Sequence, residues 1–359
     1  MVQTLSRCRE CGLPGRLAES VAWGPGGLVV LRRMQGMRLA MLDERTLESV
    51  KAAMSGAVGA AAVQEAQRDA ANAAASTQMR AKGRLSRFGT AKREFLVRLE
   101  ELSLLLGLGR VELEKFTPCE GGSMLLRMPF DLEMMAAAIT GALERMDQCV
   151  YAVEVSGIGE NVFRLALEAK GRSEDNALKR VHAVSHGRID AGGGDGERCG
   201  QCGLPVCLAG LCWDEMHGVI RAGADGRRLV LLPHCMLAAQ EHLVEAPAGV
   251  AASMQEAVFR SVRAGMEYGE HDGYEKALNG GKAGSEGWCG SVGGMLAMRG
   301  WGALAGIASE GDRWRIEVMN PVSDGLVAGW LRALYTVAVG REPLVTASGD
   351  ASLRLYEMG

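Results

Sequence analysis

Cys8-Arg9-Glu10-Cys11-Gly12-Leu13-Pro14 returns as Cys199-Gly200-Gln201-Cys202-Gly203-Leu204-Pro205, and the recurrence decides how this chain is read. Further pairs follow in order at nearly the same offset. Gly36-Met37-Arg38-Leu39 meets Gly226-Arg227-Arg228-Leu229, and Gln64-Glu65-Ala66 meets Gln255-Glu256-Ala257. Gly107-Leu108-Gly109 meets Gly300-Trp301-Gly302, and Ser156-Gly157 meets Ser348-Gly349. An ordered series at one spacing is the mark of internal repetition. The expectation is an α+β protein of two pseudo-symmetric tandem copies, each opening on a Cys-x-x-Cys knuckle.

Working outward from each knuckle, two short apolar runs flank a Gly-containing turn, the pattern of a β-hairpin. In the first copy these are 27–31 and 38–42 around a turn at 34–36. In the second they are 218–221 and 228–232 around 224–226. A helical stretch follows over 43–75, rich in Ala, Glu and Gln, with its counterpart over 236–266. Each copy then closes with a small α+β sheet unit. In the first, strands at 111–116 and 123–128 precede a helix at 132–145 whose Met135, Ile139, Ala142 and Leu143 share one face. Strands at 150–155 and 161–167 then flank a Gly157-Ile158-Gly159 turn. The second copy repeats the order with 314–318, a helix at 325–337, 344–347, a Ser348-Gly349-Asp350 turn and 352–356.

The expected division is a first ribbon-like hairpin over 1–50, an Ala-rich helical connector over 51–95 and a first α+β unit over 96–182. A Gly-rich linker over 183–198 follows, then a second ribbon-like hairpin over 199–235. A helical connector with a Gly-rich loop spans 236–287, and a second α+β unit spans 288–359.

Thiolates spaced Cys-x-x-Cys let one turn supply two of the four ligands of a tetrahedral zinc ion, and a knuckle followed by a hairpin is the plan of a zinc ribbon. Two ligand sets are open. Cys8, Cys11, Cys199 and Cys202 would share one ion between the copies. Alternatively Cys199, Cys202, Cys207 and Cys212 would close a local site, since Arg16 and Val21 stand in the first copy where the second has Cys207 and Cys212. An iron–sulfur cluster also takes four thiolates, although the 199–212 spacing matches none of the usual ferredoxin runs. Cys119, Cys149, Cys235 and Cys289 are scattered and read as small hydrophobes. His217 and His234 are reserve ligands or ordinary turn residues, and Asp214 and Glu215 read as a solvated hairpin edge.

The 359 residues allow a separate core in each half, and 48% hydrophobic with 23% charged residues is the balance of an ordinary folded domain. A net charge of −3 exerts no global pull on nucleic acid or anionic membrane. No apolar run reaches the ~20 residues of a membrane span. The first dozen residues hold a knuckle and no apolar signal core, so a cytoplasmic location is expected. The Ala, Gly, Arg and Met bias is that of a GC-rich bacterial genome. One basic segment, Arg80, Lys82, Arg84, Arg87, Lys92 and Arg93, is a weak polyanion-binding candidate, because a single aromatic, Phe88, interrupts it. Neither a Walker loop, a nucleophile elbow nor a dinucleotide fingerprint is present.

Gly300-Trp301-Gly302, Val318-Met319-Asn320-Pro321, Gly329-Trp330-Leu331 and Ser348-Gly349-Asp350 give the last 75 or so residues a resemblance to the vinyl-4-reductase domain family, a distant relative of the haem-type nitric oxide sensor fold. Residues 96–169 carry it more weakly. Cysteines typical of that family's terminal hairpin are replaced here by Ser348 and Ser352. The resemblance implies ligand sensing, regulation and protein assembly more often than defined catalysis. Read from the residues themselves, Met135, Met254, Met295, Trp288, Trp301 and Trp330 line a ligand pocket or are simply core. The expected function is a non-enzymatic regulatory or assembly protein stabilised by structural zinc, with a protein partner and a small apolar ligand. The alternatives are a nucleic-acid-associated regulator and an enzyme or accessory factor for a tetrapyrrole-like molecule.

Overall fold

The computed structural model describes residues 6–32, 37–81, 89–172, 197–222, 226–234, 236, 249–267, 285–350 and 352–359. The first half runs through α1 (Gly15–Ser20), β1 (Val21–Trp23), β2 (Val29–Leu31), β3 (Met37–Asp43), α2 (Glu44–Val58), α3 (Ala60–Ala81) and α4 (Gly89–Leu106). It ends with β4 (Arg110–Thr117), β5 (Gly121–Arg127), α5 (Leu132–Asp147), β6 (Cys149–Gly159) and β7 (Val162–Arg172). The second half has β8 (Cys212–Asp214), β9 (Val219–Ala222), β10 (Arg227–Pro233), α6 (Gly249–Glu267) and α7 (Ser285–Arg299). β11 (Ala303–Glu310), β12 (Arg313–Met319), α8 (Asp324–Val339), β13 (Val345–Gly349) and β14 (Leu353–Met358) complete it.

Among the described residues all strand pairs are antiparallel, and the strands form three sheets. The two hairpin regions do not stand apart as separate ribbons. β3 pairs with β10, Leu42 opposite Val230 and Ala40 opposite Leu232, which joins them in one six-stranded sheet ordered β1-β2-β3-β10-β9-β8. The reason lies in the pleat. Leu39-Ala40-Met41-Leu42 and Leu229-Val230-Leu231-Leu232 are apolar on both alternating faces, as only a doubly covered central strand can be. Ala40, Leu42, Val230 and Leu232 face the helical core with Val50, Met54 and Val258. Leu39, Met41, Leu229 and Leu231 face the knuckle side with Leu13, Leu17, Leu204 and Trp213.

The other two sheets, β4-β5-β7-β6 and β11-β12-β14-β13, have the same internal order. α5 packs on the first, with Ile139 and Leu143 against Leu126, Leu165 and Tyr151. α8 packs on the second, with Trp330 and Leu334 against Ile316, Val318 and Tyr356. α3 lies along α5, α6 along α8, and α2 along α6. Side-chain caps set the helix starts: Asp43 accepts from the Thr46 amide, Asp131 from Met134 and Ser323 from Leu326. Left-handed Gln148 and Gly340 end α5 and α8.

Several expectations are corrected. The 43–75 stretch is two helices, broken at Gly59, whose φ of +90° leaves the helical region. Gly157-Ile158-Gly159 is no turn but the end of β6, and the hairpin turns at Glu160-Asn161. Helices α4 and α7, unexpected from the sequence, precede the two small sheets; Leu96, Leu99 and Leu102 of α4 pack inward. The expected turn at 34–36, residues 224 and 225 of the expected turn at 224–226, most of the 183–198 linker and most of the Gly-rich loop at 269–287 lie outside the described residues. Among the described residues, no helix is long and apolar enough to cross a membrane.

Candidate metal centre

Each knuckle is a tight loop closed by its own backbone. The Cys8 amide donates to Leu13 O (2.8 Å) and Gly12 to Cys8 O (2.9 Å); Cys199 donates to Leu204 O and Gly203 to Cys199 O, both at 2.9 Å. Gly12 and Gly203 sit at φ +73° and +72°, a left-handed position that glycine takes without strain. Leu13 and Leu204, one residue on, anchor the loops in the core beneath the six-stranded sheet.

The loops face each other. Cys8 Sγ lies 3.6 Å from Cys199 Sγ and Cys11 Sγ 3.5 Å from Cys202 Sγ, and all four sulfurs lie within 4.8 Å of one another. A tetrahedral ion with metal–sulfur bonds of ~2.3 Å spaces its sulfurs about 3.8 Å apart. The four thiols therefore stand close enough to hold one metal ion. Among the described residues this is the group of Cys, His, Asp and Glu side chains that meets that condition. The local alternative is not assembled: Cys207 and Cys212 are exposed and stand outside the group.

Polar contacts brace the two loops against each other. The Glu10 carboxylate accepts from the Gly200 amide (3.1 Å) and the Gln201 amide (2.9 Å). In return Gln201 Oε1 accepts from the Arg9 amide (3.1 Å) and lies 3.3 Å from Cys8 Sγ. Arg7 donates to Gly12 O of its own loop and Trp213 O of the other half, and Arg198 donates to Gly203 O and Trp23 O. The Gly200 amide is the chief cause holding Glu10 below the ordinary carboxylate value. Amide hydrogens turned toward a sulfur favour its thiolate, and that of Cys11, then that of Glu10, help bring Cys8 down to about 7. Burial pushes Cys11 up and Cys202 up to about 12. A cation would reverse that penalty, since coordinated thiols give up their protons.

The crossing extends beyond the knuckles. Buried Arg38 of β3 donates to Gly300 O, Asn320 O and Pro321 O, and Arg228 of β10 donates to Met128 O and Pro129 O. Gly27 presses on the Gly302 carbonyl, and Gly218 on the Gly109 carbonyl. Trp23 Nε1 donates to Met298 O, and Trp213 Nε1 to Leu105 O. Each hairpin region thus holds the small sheet unit of the opposite half.

The remaining candidates have other partners. His217 Nδ1 lies 2.7 Å from Asp214 Oδ2 and its amide donates to Asp214, so the pair closes a turn. Glu215 meets Arg7 at 3.3 Å, and His234 Nε2 lies 2.7 Å from Val322 O. Trp301, Trp330, Met135 and Met254 are buried core residues, the two tryptophans packed edge to face. The side chains of Arg80, Lys82, Arg84, Arg87, Lys92 and Arg93 lie outside the described residues, as do those of Trp288, Cys235 and Cys289. Sequence reading missed Glu10 and Gln201, which occupy matched positions inside the two knuckles but bond across the chain. Compared with family models, curated proteins and solved structures, this chain matches none.

Proposed function

We propose that this chain is a tandem duplication closed around one shared structural zinc ion, and that it acts as a non-enzymatic regulatory or assembly protein. The observation that carries the reading is the meeting of Cys8 and Cys11 with Cys199 and Cys202 across the two halves. Four thiolates fill a tetrahedral ion and leave no position for water or substrate, which is the structural rather than the catalytic pattern. The compact spacing favours a single ion, because a cluster would distribute its thiolates over separate irons and set them further apart. Duplication is supported by the reciprocal contacts: Arg7 with Arg198, Trp23 with Trp213, Arg38 with Arg228, and Gly27 with Gly218 hold matching places in both halves.

In this reading the ion rigidifies the joint so that the outer faces of the two small sheets are presented in a fixed relation, for a partner protein to read. The buried tryptophans favour packing over a ligand pocket as their role. Elemental analysis of the purified chain tests the metal. One zinc per chain is expected, lost in Cys8→Ser/Cys11→Ser and kept in Cys207→Ser/Cys212→Ser. Zinc retained by the first double variant would overturn the shared site, and iron with acid-labile sulfide would overturn the ion's identity.

A further inference from the structure

A second thiol pair lies in the first small sheet unit, apart from the four knuckle cysteines. Cys119 occupies the β4–β5 turn, exposed and at φ +60°, a left-handed position unusual for a side chain larger than glycine. Its Sγ donates to Asp147 O (3.3 Å), and its amide donates to the Tyr151 hydroxyl (3.0 Å), which itself donates to Asp147 Oδ2 (2.5 Å). Cys149, 3% exposed, is the first residue of β6, directly after the left-handed cap that ends α5. Its neighbours two residues to either side, Asp147 and Tyr151, are the hydrogen-bond partners of Cys119, and its side chain is buried in the same core as that of Tyr151.

The second small sheet unit gives these positions a meaning. Its β11–β12 turn has Gly311 at φ +60°, and its helix ends at left-handed Gly340, followed by Arg341. There the residues that follow these two glycines are tied by an ion pair, Arg341 to Asp312 at 3.0 Å. In the first unit the turn is tied to the strand start by the bonds of Cys119 to Asp147 and Tyr151, on either side of Cys149.

We propose that Cys119 and Cys149 form a reversible intramolecular disulfide, with a low-molecular-weight disulfide as the oxidant. The exposed Cys119 thiolate attacks one sulfur of the small disulfide and expels one small thiol, leaving a mixed disulfide. Cys149 then gives up its proton and attacks Cys119 Sγ, and the second small thiol departs. Two protein thiols are oxidised, one small disulfide is reduced to two thiols, and the atoms balance. Burial raises the Cys149 thiol to about 11, so it waits protonated while the exposed partner engages first.

The full-length chain with its metal bound would be incubated in oxidised and reduced glutathione mixtures, its free thiols blocked with N-ethylmaleimide, and its peptides mapped by mass spectrometry. A Cys119–Cys149 linked peptide is expected, with loss of two alkylatable thiols that reduced glutathione restores. Cys149→Ser should stall with glutathione on Cys119. Cys119→Ser, an exposed change that keeps the test independent of folding, should leave Cys149 reduced. The proposal is overturned if wild type keeps a stable mixed disulfide on Cys119 while Cys149 stays alkylatable after denaturation. It is equally overturned if both remain thiols in excess oxidised glutathione, or if Cys119→Ser does not change the oxidation of Cys149.

Discussion

Gly27→Ala is the sharpest probe of the crossed architecture. Gly27 lies at φ +66°, and a Cβ built on it would stand 1.9 Å from the carbonyl oxygen of Gly302 in the opposite half. Against the 3.4 Å at which ordinary van der Waals contact begins, the shortfall is about 1.5 Å. No rotamer relieves it, because both sides of the clash are backbone. The left-handed position alone costs an alanine ~1–2 kcal/mol. Forcing the hairpin region off its seat adds an overpacking cost of roughly 1–3 kcal/mol. The sum of about 2–5 kcal/mol is a large share of the 5–15 kcal/mol that typically holds a domain folded. Gly340→Ala supplies the comparison: its φ is +80°, but nothing lies within 4 Å of its added Cβ. Urea denaturation of the metal-loaded chain should show Gly27→Ala destabilised beyond Gly340→Ala by at least ~1 kcal/mol. Equal midpoints would refute the close approach of the first hairpin region to the second sheet unit.

The other predictions concern charge and the knuckles. Arg38→Met removes the donor from three carbonyls of the opposite half and should cost roughly 3 kcal/mol in urea melts, with Arg228→Met, which serves two, costing less. Glu10→Ala leaves all four thiols in place but frees the Gly200 and Gln201 amides; chelator competition should show metal affinity lower by about 10–100-fold. Arg332, hydrogen-bonded to Glu256, holds that carboxyl below its ordinary value. The pair therefore stabilises the fold above the unfolded carboxylate value, and its contribution fades as the pH falls through the lowered folded value. The stability gap between wild type and Glu256→Gln should narrow on acidification, and a gap that widens would contradict the pairing.

Much of the local structure was legible because it is written in local chemistry. The face of Met135, Ile139, Ala142 and Leu143 marks α5, and the shared Cys-Gly-Leu-Pro of both knuckles marks the four-thiol group. What the sequence did not disclose is long-range. Leu39 to Leu42 reads as a strand, but nothing in it names Leu229 to Leu232 as its partner. Glu10 and Gln201 look like solvated knuckle positions until the opposite loop brings its amides to them. The exchange of hairpin regions between halves leaves no local trace, since Arg38 and Arg228 meet carbonyls that carry no side-chain signature. Gly157 and Gly159 misled in the opposite direction: glycine at a sheet edge resembles a turn, although β6 simply runs on through both to Gly159 before Asn161, at φ +53°, makes the bend.

The pairing of β3 with β10 also sets a timetable for the nascent chain. Half of the central sheet and two of the four clustered thiols belong to residues 8–43, and their partners are not synthesised until residues 199–233 emerge. At typical translation rates of ~5–20 residues per second, an apolar edge and two reactive thiols wait about 10–40 s for completion. During that window the first half is open to pairing with a neighbouring ribosome's product, which presents the same edge. Production of this protein is thus expected to depend on chaperone supply and on metal arriving at the moment the second knuckle clears the exit tunnel.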